Sequence, residues 1–336
     1  MLRLLRVDGG RTAVLLDPQA TQVLDVDASR DAFAAVDADG AAVLGRLLPE
    51  ATGSWRPMIE RWDEAEPVLQ RLAATAAASS NGGFVRKPLE DTAVEPPLPA
   101  GLGGKVLAIG ANFACHLAAV QSVLRGEPMS EDDARGLFPA PWGFVVVTDS
   151  IVGPGATVTP PGGTAHLDYE AEVGAVLATG GRDLSPGEVT FWGIVPFNDF
   201  SLRDPHLGKG QPFDRGPLTW TLQKNFESGK AMGPWVQVLD EVGEAPNVEI
   251  LCRVNGDLRQ QEWSNKMIWS FPDVVAHLSR YVRLNPGDVI VSGTPKGTAL
   301  ESGADGSAWL RAGDAVETEV GGIGVLRNTI GFWAAD

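Results

Sequence analysis

His166-Leu167-Asp168-Tyr169-Glu170-Ala171-Glu172-Val173 is the stretch on which the reading of this chain turns. Potential metal or proton ligands (His166, Asp168, Glu170, Glu172) alternate with apolar or aromatic residues (Leu167, Tyr169, Ala171, Val173). Two is the period of a β-strand, so a strand here puts all four polar groups on one face. Three carboxylates on one face repel each other unless that face is open to water or holds a cation. Taken alone, the Glu-x-Glu pair is compatible with either.

Outward from this stretch, the next acidic residue in an unusual setting is Asp199, in Val195-Pro-Phe-Asn-Asp-Phe-Ser-Leu-Arg-Asp204, where the apolar run 191–197 ends. Glu170, Glu172 and Asp199, completed by water, make the usual oxygen shell of Mg²⁺ or Mn²⁺, and Ca²⁺ accepts the same donors. The alternative is a solvated Glu pair with Asp199 capping a turn. Asp168 and His166 precede the pair in phase, and Asp168 reads as a residue supporting the ligands.

The bulk composition narrows the field. The chain has 336 residues, 44% hydrophobic and 21% charged, with a formal net charge of −16. That balance argues against nucleic acid and against an anionic membrane surface, both of which call for clustered Lys and Arg. It leaves a small anionic substrate open, because such a ligand feels a local Arg or metal. The two cysteines, Cys115 and Cys252, form no CxxC pair, so they read as buried reduced thiols. The N-terminal apolar stretch is broken by Arg3 and Arg6, and no apolar run reaches the roughly 18 residues of a membrane span, so the expected location is the cytoplasm.

Residues 1–95 read as a small α+β unit, with short strands at 3–5, 13–16 and 22–26 and a helix at 65–78. The Pro- and Gly-rich segment 96–104 reads as a linker. Residues 105–336 read as the main domain, with strands at 105–110, 175–177, 191–197, 248–254 and 288–292 and helices at 112–124 and 272–282. Strands outnumber helices, which predicts a mostly β roll, barrel or sandwich rather than a doubly wound sheet.

Six motifs in order then carry a resemblance. They are Ile109-Gly-Ala-Asn-Phe-Ala-Cys-His116, Asp168-Tyr-Glu-Ala-Glu-Val-Gly174, Asn198-Asp-Phe-Ser-Leu-Arg-Asp204, Lys224-Asn-Phe226 with Met232-Gly-Pro-Trp235, Val254-Asn-Gly-Asp-Leu-Arg259, and Pro286-Gly-Asp-Val-Ile-Val-Ser-Gly-Thr-Pro-Lys-Gly297. Over roughly residues 105–330 the chain resembles the fumarylacetoacetate hydrolase (FAH) family. The resemblance implies an α+β, mostly β fold, an FAH-type mixed β-roll or barrel following a small N-terminal α+β domain, and a homodimer. It also implies a divalent cation, Mg²⁺ or Mn²⁺, on Glu170, Glu172 and Asp199, and cleavage of a C–C bond in a small diketo or oxo acid such as an acylpyruvate.

By the same resemblance His116 is the general base, Arg203 binds a substrate carboxylate, and Lys224 steadies a developing oxyanion. Thr294 is a hydroxyl donor or a turn former, and Phe113 and His206 are candidates for the substrate wall. Two positions depart from the family pattern. Ala119 stands where hydrolytic members carry a Glu one helical turn after the His, and Val146 stands where they carry a Lys. An oxo-acid decarboxylase or keto–enol isomerase on the same site is therefore the alternative, and a catalytically silent metabolite-binding protein is another. The segment 120–138, with Glu131, Asp132 and Asp133, reads as part of a lid.

Overall fold

The computed structural model describes residues 1–50, 53–79, 82–98, 104–204, 217–302 and 307–332, with backbone alone at 217–220. Two apolar strands lie at its centre. Ala171–Leu177 and Phe191–Asp199 pair antiparallel, and every residue of both is buried. A strand covered on both faces must be apolar on both, and Phe191-Trp-Gly-Ile-Val-Pro-Phe is. Alternate residues enter separate cores. Val173, Ala175, Phe191 and Ile194 face one, and Val176, Trp192, Val195 and Phe197 face the other.

The first core is closed by a second, five-stranded sheet. It contains Glu249–Val254, Asp257–Trp263, Ala315–Val320 and Gly324–Ile330, and contributes Ile250, Cys252, Val316 and Leu326. The second core is closed by N-terminal helices, above all Trp62–Ala78, whose Trp62, Leu69 and Leu72 share it with Trp192 and Val195. The molecule is thus helices on a large sheet on a small sheet. Among the described residues no sheet closes on itself, so the expected mixed, mostly β architecture is an open roll and not a closed barrel.

The N-terminal strands Arg3–Val7, Arg11–Leu15 and Gln22–Asp25 lie close to their expected positions. Arg3–Val7 pairs with Val236–Gly243, so the sheet runs continuously from the first 95 residues into the main domain. Val94–Glu95, just before the Pro-rich segment, pairs back onto Arg3–Val7. The helices Arg30–Ala34, Ala38–Leu47 and Arg56–Glu60 were not expected; the two of five residues are too short for a periodic stripe, whereas Ala38–Leu47 carries an Asp37 N-cap and buries Leu44 and Leu47.

Local rules position the rest. Phe271–Ser279 starts in a capping box, Ser270 with Asp273, with Pro272 in its first turn. Ala114–Arg125 ends at Gly126 in the left-handed region, φ 73°. Among the described residues no helix is long and apolar enough to cross a membrane. Both cysteines are free, Cys252 buried and Cys115 half-buried.

Candidate active site

The alternating stretch is not one strand. Leu167–Asp168 pairs with Ser201–Leu202, the chain leaves strand geometry at Tyr169 and Glu170, and Ala171–Leu177 joins the large sheet. Partners from different sheets pull on the two halves, which a period-two pattern does not reveal. Glu170 is still tied to the neighbouring strand, because its carbonyl accepts the Asp199 N–H (2.9 Å) and its N–H is donated to Asn198 Oδ1 (3.2 Å).

Glu170, Glu172 and Asp199 converge as expected. All are buried, and one carboxylate oxygen from each lies within 4.8 Å of the others. Lys224 Nζ donates to Glu170 Oε2 (2.6 Å), Asp199 Oδ2 (2.8 Å) and Ser201 Oγ (2.7 Å). Arg203 donates to Glu170 Oε1 and, at 3.3 Å, to Asp168 Oδ2. Lys230 Nζ, wholly buried and directly across the strand pair from Asp199, lies 2.6 Å from Asp199 Oδ1 and donates to the Phe200 and Gly229 carbonyls.

Glu172 is treated differently. Among the described residues its one donor is the Gly293 N–H at 2.8 Å. Burial, then Asp199 and Glu170, push its carboxyl well above the usual range. Burial also acts on Glu170, but Lys224 and Arg203 outweigh it and hold that carboxyl at about 2. Burial lifts Asp168 to about 6. A third buried carboxyl group beside two that are paired with Lys and Arg, without a cation of its own, is the deficit a divalent ion fills, and the all-oxygen donor set suits a hard ion. The residues therefore fit Mg²⁺ or Mn²⁺.

His116, on the helix Ala114–Arg125, faces the same cavity as the acidic trio. Ala119 leaves it no carboxylate on its own helix. Glu301 supplies one instead, with Oε1 2.5 Å from His116 Nδ1 and the Glu301 side chain 5% exposed. Its Oε2 accepts the Gly297 N–H (2.8 Å), and Thr298 Oγ1 donates to Oε1 (3.2 Å). With Nδ1–H on the carboxylate, Nε2 keeps its lone pair. Sequence reasoning missed Glu301 because 185 positions separate it from His116. The usable signal was the Gly-rich segment 293–297. Gly293 (φ 81°) and Gly297 (φ 111°) are left-handed there, a Cβ on Gly297 would lie 2.1 Å from the Arg259 carbonyl, and their N–H groups cap Glu172 and Glu301.

The other candidates divide. Arg203, Lys224 and Thr294 line the cavity. The Thr294 hydroxyl donates to the Ala171 carbonyl (3.0 Å) and accepts from Gln260 Nε2 (2.8 Å). Phe113 is wholly buried in the core beside the sheet and is absent from the cavity wall. His166 turns to Asp204, Nδ1 to Oδ1 3.0 Å. His206 lies outside the described residues. Val146 is packed in the core with Val106 and Val291. The lid reading of 120–138 meets the cavity at Val120, Gln121, Leu124 and Phe138.

A buried acidic trio at the ends of two sheet strands, facing an oriented histidine across a cavity of about 250 Å³, has the layout of a small-molecule enzyme. The chain belongs to the fumarylacetoacetate hydrolase family, whose C-terminal domain, "Fumarylacetoacetate (FAA) hydrolase C-terminal", matches residues 105–331. It is 28% identical over 269 residues, 79% of this chain and 87% of the relative, to a 2,4-didehydro-3-deoxy-L-rhamnonate hydrolase of Sphingomonas sp. (strain SKA58). It is also 28% identical over 228 residues, 67% of this chain and 66% of the relative, to the mitochondrial oxaloacetate tautomerase Fahd2a of Rattus norvegicus. In three dimensions it resembles a probable 2-hydroxyhepta-2,4-diene-1,7-dioate isomerase from Mycobacterium abscessus, with TM-score 0.69, 23% identity and 98% of both chains covered. The relatives of this chain in sequence thus include a hydrolase and a tautomerase.

Proposed function

We propose that this protein is a divalent-metal-dependent hydrolase that cleaves a C–C bond in a small diketo or oxo acid. The observation that carries this reading is the His116–Glu301 pair, 2.5 Å apart, beside the acidic trio. Water activation needs a base whose proton-bearing nitrogen is fixed, and Glu301 fixes it. Glu170, Glu172 and Asp199 would hold the cation, which supplies Lewis-acid polarisation of the substrate oxygens when bound.

His116 Nε2 takes the proton of the attacking water, and Glu301 stabilises the imidazolium that results. Arg203, which spends two of its five N–H donors on Asp168 and Glu170, offers the others to the substrate's carboxylate, and Lys224, whose three N–H groups are taken by Glu170, Asp199 and Ser201, exchanges one of these partners for the developing enolate oxygen. Apolar side chains around the rest of the cavity limit water to the reacting molecule.

The test is product analysis by NMR on acylpyruvates with Mg²⁺ or Mn²⁺. The expected result is a stoichiometric pair of pyruvate and a carboxylic acid. Enol–ketone interconversion without cleavage would overturn hydrolysis. It would also favour the second reading, a tautomerase on the same site, which draws on the likeness to an oxaloacetate tautomerase and needs only His116 as base.

A further inference from the structure

The cavity has two unlike ends. One holds the charged groups, His116, Glu170, Glu172, Asp199, Arg203 and Lys224. The other is walled by Leu117, Val120 and Leu124 from one helix and by Phe138, Trp142 and Phe144 from the segment that follows. Gln121, on the same helix and accepting from Arg125 Nε at 3.1 Å, is the polar side chain among them. The Phe138 and Trp142 rings lie 5.2 Å apart, and the Trp142 ring covers Gly110, where a Cβ would meet it at 2.7 Å. The Phe144 ring centroid is 5.6 Å from Lys224 Nζ, so the aromatic wall begins where the charged end stops. Leu124 lines the cavity and is 52% exposed, which marks the mouth.

The cationic side chains of the wall, among the described residues, are Arg203 and Lys224, and both are held by Asp168, Glu170 and Asp199 at the charged end. A substrate carboxylate can be met there. A second carboxylate at the far end of the same molecule would lose its water against Leu, Val and aromatic rings and, among the described residues of the wall, meet no cation in return. An alkyl or aryl tail would instead bury apolar surface on the same wall. The cavity of about 250 Å³ has the volume of roughly eight waters at ~30 Å³ each, room for a short acyl chain or a single ring.

We infer that the substrate is a mono-anionic oxo acid with an apolar tail, and that Val120, Leu124, Trp142 and Phe144 select it against dicarboxylates of equal length. The inference rests on the oxo-acid reading of the charged end but not on which bond is broken there. It specifies a substrate class that hydrolysis and tautomerisation share.

The experiment is calorimetric titration of the full chain, in Mn²⁺, with 2-oxohexanoate and with 2-oxoadipate, which match in length and differ in the tail. Wild type is expected to bind 2-oxohexanoate more tightly by on the order of tenfold or more. Leu124→Arg, at the exposed mouth, is expected to narrow that ratio by about two- to fivefold, and Trp142→Ala to weaken the apolar ligand alone. Equal binding of the two acids, preference for 2-oxoadipate, or a ratio unchanged in Leu124→Arg would overturn the tail assignment. Retained preference without cleavage of any acylpyruvate would sink hydrolysis and leave the tail assignment standing. Binding of neither acid would refute both.

Discussion

Glu301→Gln tests the reasoning at its most exposed point. The two carboxylate oxygens have different neighbours, since Oε2 accepts the Gly297 N–H at 2.8 Å while Oε1 faces His116 Nδ1 at 2.5 Å. A glutamine must put its NH₂ at one of these positions. Facing Gly297, the NH₂ would oppose a buried donor and leave it unmet, at a cost of about 1–3 kcal/mol. The amide oxygen therefore takes the Gly297 side and the NH₂ faces His116. Nδ1 must then accept, the imidazole proton moves to Nε2, and the lone pair facing the cavity is lost. Loss of an oriented general base is worth ~10²–10⁴ in rate, or about 3–5 kcal/mol at 1.36 kcal/mol per tenfold. The expected phenotype is a fall of that size in kcat for acylpyruvate cleavage, with KM and Mn²⁺ affinity within about threefold of wild type. A Glu301→Gln enzyme that keeps a third or more of its kcat would refute the dyad.

Three other outcomes are expected. Glu172 is pushed upward by burial, Asp199 and Glu170, so the fold favours its neutral form, and the stability tied to it is present at low pH and lost as pH rises through the raised value. Glu172→Gln should therefore melt no lower than wild type at pH 8 without metal, yet lose the Mn²⁺-induced rise in Tm. A lower metal-free Tm with a retained Mn²⁺ shift would contradict the ligand assignment. Trp192, wholly buried edge-on to Trp55 at 6.1 Å and Trp62 at 5.2 Å, couples the N-terminal helices to the large sheet. Trp192→Ala should cost ~3–5 kcal/mol in urea unfolding, in one transition, and two separate transitions would argue against a shared core. Following the family resemblance, we propose a homodimer, and sedimentation velocity at micromolar concentration that returns a monomer would exclude it.

The parts of the site that were legible share a property: their signal is local. The alternation at Glu170 and Glu172 and the acidic residue ending an apolar run at Asp199 can be read within a few residues, because strand geometry repeats every two positions. The family itself was legible through motif order. Glu301 was not, because a carboxylate that replaces the one missing at Ala119 can come from any element that folds back over the helix. Lys230 carried no signal either, since a buried lysine is identified by the acceptors around it, here Asp199 and the Phe200 and Gly229 carbonyls. Phe113 is adjacent in sequence to the helix that carries His116, yet it packs into the core while that helix presents His116 to the cavity.

By itself, then, the sequence determined which residues can be strand and core, which family they belong to, and that three carboxylates would meet. The first follows from side-chain chemistry and backbone periodicity, and the other two from the resemblance that the order of the motifs carries. Only the tertiary structure decided that the alternating stretch splits between two sheets, that the first strands join the main sheet, that Glu301 orients His116, and that an apolar wall faces the charged end. Each of these depends on chain segments about twenty to more than two hundred positions apart being brought together, and no local pattern carries that distance.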